Sequence, residues 1–405
     1  MSGNSEPQIV DADCHILEPP DIWKTWLPER FSDQAPQLVK DADGGDAWQF
    51  AGTPAPDPIG LVSTPGKPFD EFRWTGVTYD DARPGCYDGA QRLADMDIDG
   101  VHAELLFPPQ RTIGHFLGDE DDDFVRAGVE AYNNFLWEEF CEPDRSRLVG
   151  IAQIPSTGVD DAVDSLRKAK ARGFKGVVIS CWPTGGEGLD PDSDPFWAAA
   201  EEEEMPVCVH INIISRVQRQ KSRQAAAKRL AYEAEDRAED KAEGKEKGAA
   251  ATRGATKAKA VGGLGSVFTM TAGVIGNLIF TGVFDRFPKL HLSMIECGVG
   301  WIPHYLEQLD DRYWRNRGWG EIDLVHAPSH YWRHNMSATF IQDRTGLALR
   351  HEAGVDTIMW SSDYPHHGND WPYSRKVIAE QMVNVPQDER ALMVGGNATR
   401  IFGLD

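Results

Sequence analysis

The chain has 405 residues, 41% hydrophobic and 10% aromatic, so it can bury a large core in one domain or two. Its formal net charge is −23, with 64 acidic residues against 41 basic ones, which argues against a general nucleic-acid binder and against adhesion to anionic membranes. Six cysteines (Cys14, Cys86, Cys141, Cys181, Cys208 and Cys297) form no CxxC pair, so they suggest neither a zinc knuckle nor a disulfide framework and read as small buried apolar residues. There is no charged, apolar and small-residue leader and no uninterrupted apolar run of about 18 residues, so the expectation is a soluble, cytoplasmic protein.

The first strand-like run is IVDADCH, from Ile9 to His15. Alternate side chains of a strand share a face, which predicts that Asp11, Asp13 and His15 point the same way. Two carboxylates and an imidazole on a buried face are costly unless something binds them, and a metal ion is the obvious compensation. Seven further runs follow: VHAELLF from Val101, VGIAQIP from Val149, KGVVIS from Lys175, VCVHIN from Val207, LHLSMIEC from Leu290, a weaker MSATFI from Met336 and TIMWSSD from Thr357. Amphipathic patterns of helical length lie between most of them, such as Phe124 to Phe140, Val159 to Arg172 and Ile302 to Arg317. Eight alternations of strand and helix predict an α/β fold, a distorted (β/α)8 TIM barrel spanning 1–405 as a single domain.

Two stretches interrupt that rhythm. From about Pro28 to Gly89 the sequence is rich in Pro, Gly, Asp and Trp with no clean period, and reads as an insert after strand one. Its Trp48, Phe72 and Trp74 either wall a pocket or form an interface. Residues 216–260, after strand five, hold 13 Lys or Arg against 7 Asp or Glu. This second insert reads as a charged helix with almost no apolar stripe, running into a Gly, Ala and Lys tail above the barrel mouth. It is either a solvated loop or a basic lid that meets an anionic part of the substrate, such as the phosphates of a carrier.

The unusual polar residues fall at the ends of these strands: Asp13 and His15 after strand one, His210 after five, Glu296 after six and Asp363 after eight. In a barrel those ends converge on the catalytic face. A mixed set of histidines and carboxylates suits a divalent metal, zinc, manganese or iron. Asp363 can bind the metal or move a proton, and His366 or His367 can relay a proton or touch substrate; the structural alternatives are a turn or cap for Asp363 and an exposed loop pair for the histidines. Glu296 can instead cap the following helix or join a salt bridge, His304 reads as a helix-face residue, and Cys297 reads as packing.

VDADCHILEPPDIW, GVFDRFPKLHLSMIECGVGWIPHYLEQLD, SSDYPHHGNDWPYSRK and GGNATRIFGLD resemble the amidohydrolase-related (amidohydrolase 2) family, which contains metal-dependent TIM-barrel hydrolases and decarboxylases. The resemblance implies Asp13 and His15, His210 and Asp363 as metal ligands, and hydrolysis or non-oxidative decarboxylation of a cyclic or aromatic carboxylate-like substrate. Where the decarboxylases commonly carry a histidine at the end of strand six, this chain carries Glu296. An added carboxylate favours a second cation or a harder one. The alternative it implies is a non-heme di-iron, O2-dependent hydroxylase with Glu296 among the ligands, possible irons numbering two, acting on a carrier-linked (CoA thioester) natural-product intermediate. Barrels of this family are often dimers, so a homodimer is expected. A non-catalytic barrel requires the polar strand ends to pair with one another.

Overall fold

The computed structural model describes residues 7–243, 258, 261–263 and 265–404. Eight strands lie side by side in chain order: β1 (Val10–His15), β2 (Ala103–Phe107), β3 (Leu148–Gln153), β4 (Gly176–Cys181), β5 (Val207–Ile214), β6 (Leu292–Ile295), β7 (Met336–Phe340) and β8 (Ile358–Trp360). Every neighbouring pair is parallel, with Val10 opposite Ala103 and Val207 opposite Leu292. Past β8 the chain returns to β1: Asp363 N donates to Asp13 O at 3.0 Å and His15 N to Tyr364 O at 2.6 Å. The sheet is therefore an almost closed α/β barrel, as the eight strand-like runs predict.

The strands read as near-continuous apolar runs because both of their faces are buried. Val10, Ala12, Leu105, Phe107, Ile151 and Cys208 fill the barrel interior, while Cys14, Leu106, Ala152 and Val177 belong to the layer between strands and helices. The outer helices follow local rules. In Val159–Arg172, Asp160 and Asp161 occupy the first turn and Lys170 and Arg172 the last, matching the helix dipole. Ala162, Leu166 and Ala169 form its buried stripe, and Gly173, at φ 107°, ends it.

β1 departs from simple alternation. Its register against β2 shifts between Asp11 and Cys14, so the inward parity of Val10 and Ala12 passes to Asp13 and His15, and Asp11 is left on the other side. There Asp11 Oδ1 accepts Ser362 N at 2.9 Å, and burial with Glu104 nearby pushes its carboxyl up to about 8. The expected shared face of three polar residues is thus a pair, and Asp11 ties β1 to the end of β8.

The first insert contains a small antiparallel sheet, Gln37–Lys40, Asp46–Gln49 and Asp57–Pro58. Its aromatics face the barrel: Trp48 is buried, the Arg111 guanidinium lies over the Trp74 ring at 4.7 Å, and Phe72 sits 4.5 Å from the His367 ring.

The second insert begins as the helix Arg216–Glu243, while 244–257 and 259–260 of the expected tail lie outside the described residues. A face made by Arg216, Arg219 and Arg223 turns onto the barrel, continued by buried Ala227 and Leu230. Arg216 reaches Asp119 O and the Asp122 carboxylate, Arg219 donates to Ser180 O at 2.6 Å, and Arg223 contacts His115. A purely apolar pattern misses such a stripe because arginine buries its methylene stem while its head group bonds. After it, Val261–Phe280 has the length and composition of a membrane span (mean hydropathy 1.5), a test that core helices also pass. Val274, Ile275, Leu278 and Ile279 of this segment are buried, and Thr271 Oγ1 donates to Ile211 O at 2.8 Å.

Candidate metal centre

The C-terminal ends of β1, β5, β6 and β8 bring Asp13, His15, His210, Glu296 and Asp363 together. Asp13, His15, His210 and Glu296 each offer a ligand atom within 4.8 Å of the others, and His15, Asp363 and His366 make a second such group around the shared imidazole. His210 Nε2 lies 3.0 Å from His15 Nε2, 3.6 Å from Asp13 Oδ1 and 3.6 Å from Glu296 Oε2. His15 Nε2 lies 3.5 Å from Asp13 Oδ1 and 3.4 Å from Asp363 Oδ1.

The chain spends backbone strain to hold this set. Glu296 and Asp363 have φ of 57° and 63°, and Ile211, next to His210, has 65°, a region that a β-branched residue rarely enters. Glu296 is fixed by its own N–H, which donates to Thr339 Oγ1 at 2.8 Å from the end of β7. The loop behind it is tied down by Asp343 Oδ2, which accepts from Val299 N and Gly300 N, both at 2.7 Å. Beneath β1, fully buried Arg92 pairs with Glu104 at 3.0 Å, bonds Gly85 O at 2.9 Å and reaches His15 O, so the main chain carrying His15 is held from behind.

Two observations make the cluster fit a metal. Both Asp13 carboxylate oxygens and Asp363 Oδ1 are buried without a hydrogen-bond partner. The carboxylate–imidazole separations of 3.4 to 3.6 Å are too long for hydrogen bonds within the set. They match the edges of a coordination polyhedron, since donors about 2.1 Å from one ion sit about 3.0 Å apart at a right angle and about 3.4 Å apart at the tetrahedral angle. Mutual pairing, which the non-catalytic barrel requires, therefore does not satisfy these groups. The donor set suits zinc, manganese and iron alike.

The electrostatics carry the same message. Burial, and then the Glu296 and Asp13 carboxylates, hold the Asp363 carboxyl well above its ordinary range. Burial pushes Glu296 to about 7, with His210 opposing and Asp13 adding to the rise. Burial alone lowers His210, but the facing carboxylates of Asp13 and then Glu296 carry it above its ordinary value, whereas burial beside His210 and His366 takes His15 well below. This gives a pH signature. Glu296 ordinarily titrates near 4.5, so between there and about 7 the unfolded chain has released a proton that the folded chain still holds, and stability falls as pH rises through that window. A bound cation keeps Glu296 as a carboxylate and cancels the loss. The melting midpoint of chelated protein should therefore drop relative to metal-loaded protein between about pH 5 and pH 7.5; a constant gap across that range would show that Glu296 does not face the ion.

A chamber of about 460 Å³ opens above the cluster. Its walls include Trp48, Ile59, Leu61 and Val62 from the first insert and Met270 from the segment after the second. His366 lines it, with Nδ1 4.0 Å from Asp363 Oδ2, and burial pushes this imidazole down to about 3. His367 lies outside the cluster against Phe72, and its N–H donates to Leu61 O at 3.0 Å. His304 is exposed on its helix, and Cys297 is buried with its thiol pushed far up, as expected of packing. Sequence reading missed Glu18, Arg111 and Arg219, which also line the chamber. Glu18 stands three residues after His15 and gave a possible signal, whereas Arg111 and Arg219 are ordinary surface residues by sequence.

The profile of the amidohydrolase family (Amidohydro_2) matches residues 10–404. Among curated proteins, Decarboxylase orsB of Emericella nidulans is 25% identical over 295 residues, 71% of this chain and 78% of that protein. Among solved structures, amidohydrolase map2389c of Mycobacterium avium subsp. paratuberculosis superposes with a TM-score of 0.69 at 19% identity, covering 98% of this chain and all of that one. A 5-carboxyvanillate decarboxylase from Novosphingobium aromaticivorans, complexed with manganese and 4-hydroxy-3-methoxy-5-nitrobenzoic acid, superposes at 0.64 with 16% identity, covering 100% of this chain and 98% of that one. A profile that runs from the first barrel strand to the last helix, on a barrel whose strand ends gather these donors, places the chain in the amidohydrolase family, as an enzyme.

Proposed function

We propose that the protein is a metal-dependent carboxy-lyase that removes CO2, without oxidation, from an aromatic carboxylate. The observation that carries this reading is a histidine–carboxylate cluster with orphaned donor atoms at the base of a ring-sized, largely apolar chamber. The named decarboxylases among its relatives support the reaction type. A divalent ion held by Asp13, His15, His210 and Glu296 would supply Lewis acidity toward a substrate oxygen.

The chain's own residues do the rest. Trp48, Ile59 and Met270 hold the ring and exclude water from it. Asp363 gives its proton to the ring carbon that bears the carboxylate; the bond to that carboxylate then breaks, its electron pair returns to the ring, and CO2 leaves. His366, neutral at physiological pH, relays a replacement proton, taking one from water at Nε2 as it gives one from Nδ1 toward Asp363 Oδ2. The same Asp363 taking a proton from water serves hydrolysis, the other reaction the family resemblance implies.

The test is manganese-loaded protein incubated with a panel of hydroxylated benzoates and benzene dicarboxylates, with CO2 and arene measured together. Equimolar release supports the reading. The position of Glu296 within ligand distance of His210 favours one rival, the di-iron hydroxylase. Two irons per chain with oxygen uptake and no CO2 from any panel member would establish that rival instead.

A further inference from the structure

The chamber carries opposite charge at two places. Its base is acidic, and its wall carries two guanidinium groups, Arg111 and Arg219. They are not equivalent. Arg111 is already matched: its Nη2 lies 3.1 Å from Asp57 Oδ1, and the second oxygen of Asp57 lies 3.1 Å from His115 Nε2. Arg219 donates to a main-chain oxygen, Ser180 O, at 2.6 Å and contacts the Cys181 thiol, and among the described residues no carboxylate pairs with it. Its Nε is buried without a partner. A guanidinium partly withdrawn from water without a counter-ion is unfavourable unless a ligand provides one.

Its placement is built in. The insert helix is fastened on either side of it, by Arg216 to Asp119 O and Asp122 and by Arg223 to His115. Arg219 is thereby held in the wall of the chamber, which Arg111 and the cluster residues His210 and Glu296 also line. The arginines at 216 and 223 are engaged with the barrel, so this part of the helix holds Arg219 in the wall and offers few free charges to a large polyphosphate. At about 460 Å³, the chamber suits a single substituted ring.

We propose that Arg219 is the specificity residue of the chamber, the counter-ion for a second carboxylate on the ring, so that the substrate class is an aromatic dicarboxylate. This rests on the reading of the site as one for an aromatic carboxylate, and deepens it. One carboxylate faces the cluster and the other faces Arg219, with Arg111 adding positive potential to the same wall. Glu18, also in the wall, opposes this only when ionised, and burial pushes its carboxyl to about 7.

The test is calorimetric titration of manganese-loaded protein at about pH 6, where Glu18 retains its proton, with isophthalate and with benzoate as probes. Isophthalate should bind about tenfold more tightly or better, as expected of a charge-assisted pair, and Arg219→Gln should remove that preference while changing benzoate affinity less than about twofold. Arg219→Lys keeps the charge without the planar fork and should retain part of the preference, which keeps the test usable should the glutamine variant fold poorly. Equal affinity for the two probes in the wild-type protein, or a preference that survives in Arg219→Gln, overturns the proposal. So does displacement of isophthalate by micromolar coenzyme A, which would assign this guanidinium to a carrier phosphate. Binding is read without turnover, so absence of CO2 release leaves this result standing, and loss of selectivity leaves the decarboxylation reading standing.

Discussion

Replacing His210 by Ala should strip the metal from the protein and lower turnover by on the order of a thousandfold or more, a loss of about 4 kcal/mol of transition-state stabilisation. His210 sits at the centre of the donor set, with its Nε2 within 3.6 Å of ligand atoms from β1 and β6. No neighbour can replace it. Its ring is buried against His15 and 5.9 Å from the Phe107 ring, so a shortened side chain leaves a hole in the ligand shell that only water can fill. The barrel itself should remain folded, because the strand pairing of β5 with β4 and β6 does not involve the imidazole. Elemental analysis, CO2 release and circular dichroism on the same preparation check the three parts. A folded, metal-free His210→Ala protein that still turns over would refute metal-dependent chemistry at this cluster.

What could be read from the sequence depended on how local the signal is. Strand ends are marked locally: an apolar run breaking into Asp13-x-His15, His210, Glu296 or Asp363 is visible in a few residues, and the barrel then supplies the convergence that sequence distance hides. Asp11 was misplaced because alternation assumes an unbroken ladder, and the register shift in β1 depends on pairing with a strand some ninety residues away. The insert helix was hard to read for a similar reason. Arg216, Arg219 and Arg223 look solvated until Asp119, Asp122, Ser180 and His115 are placed beneath them. The chamber's polar wall is therefore a tertiary property. Its acidic floor is a property of four short motifs.

The combination of an acidic floor and a cationic wall also explains the cost of the site. Asp13, Glu296 and Asp363 converge in a buried space with two histidines, which without a cation is a source of repulsion and not of stability. Glu296 sharpens this, because a histidine at the end of β6 adds no negative charge where this carboxylate does. With one divalent ion the floor keeps a residual negative charge unless one acid holds a proton, and Asp363 is the acid that burial and its neighbours most strongly dispose to do so.

That reasoning yields the last prediction. Asp363→Asn should lower kcat by roughly a hundredfold to ten-thousandfold, the range of general acid–base groups, even at metal concentrations that restore full occupancy. Asparagine nearly matches aspartate in shape, keeps an oxygen toward His15, and tolerates the φ of 63° at this position, so the loop and its N–H bond to Asp13 O should survive. What disappears is the transferable proton. The loss should fall on kcat and not on KM, because the chamber walls that hold the ring are untouched. The metal-free variant should be more stable than metal-free wild type above about pH 6, since removing one of three crowded acids relieves the repulsion that rises as they ionise. An Asp363→Asn enzyme that keeps more than about a tenth of its kcat at saturating metal would move the proton donor elsewhere. A variant that is both inactive and less stable without metal at high pH would mean that Asp363 holds the loop together and does not carry the proton.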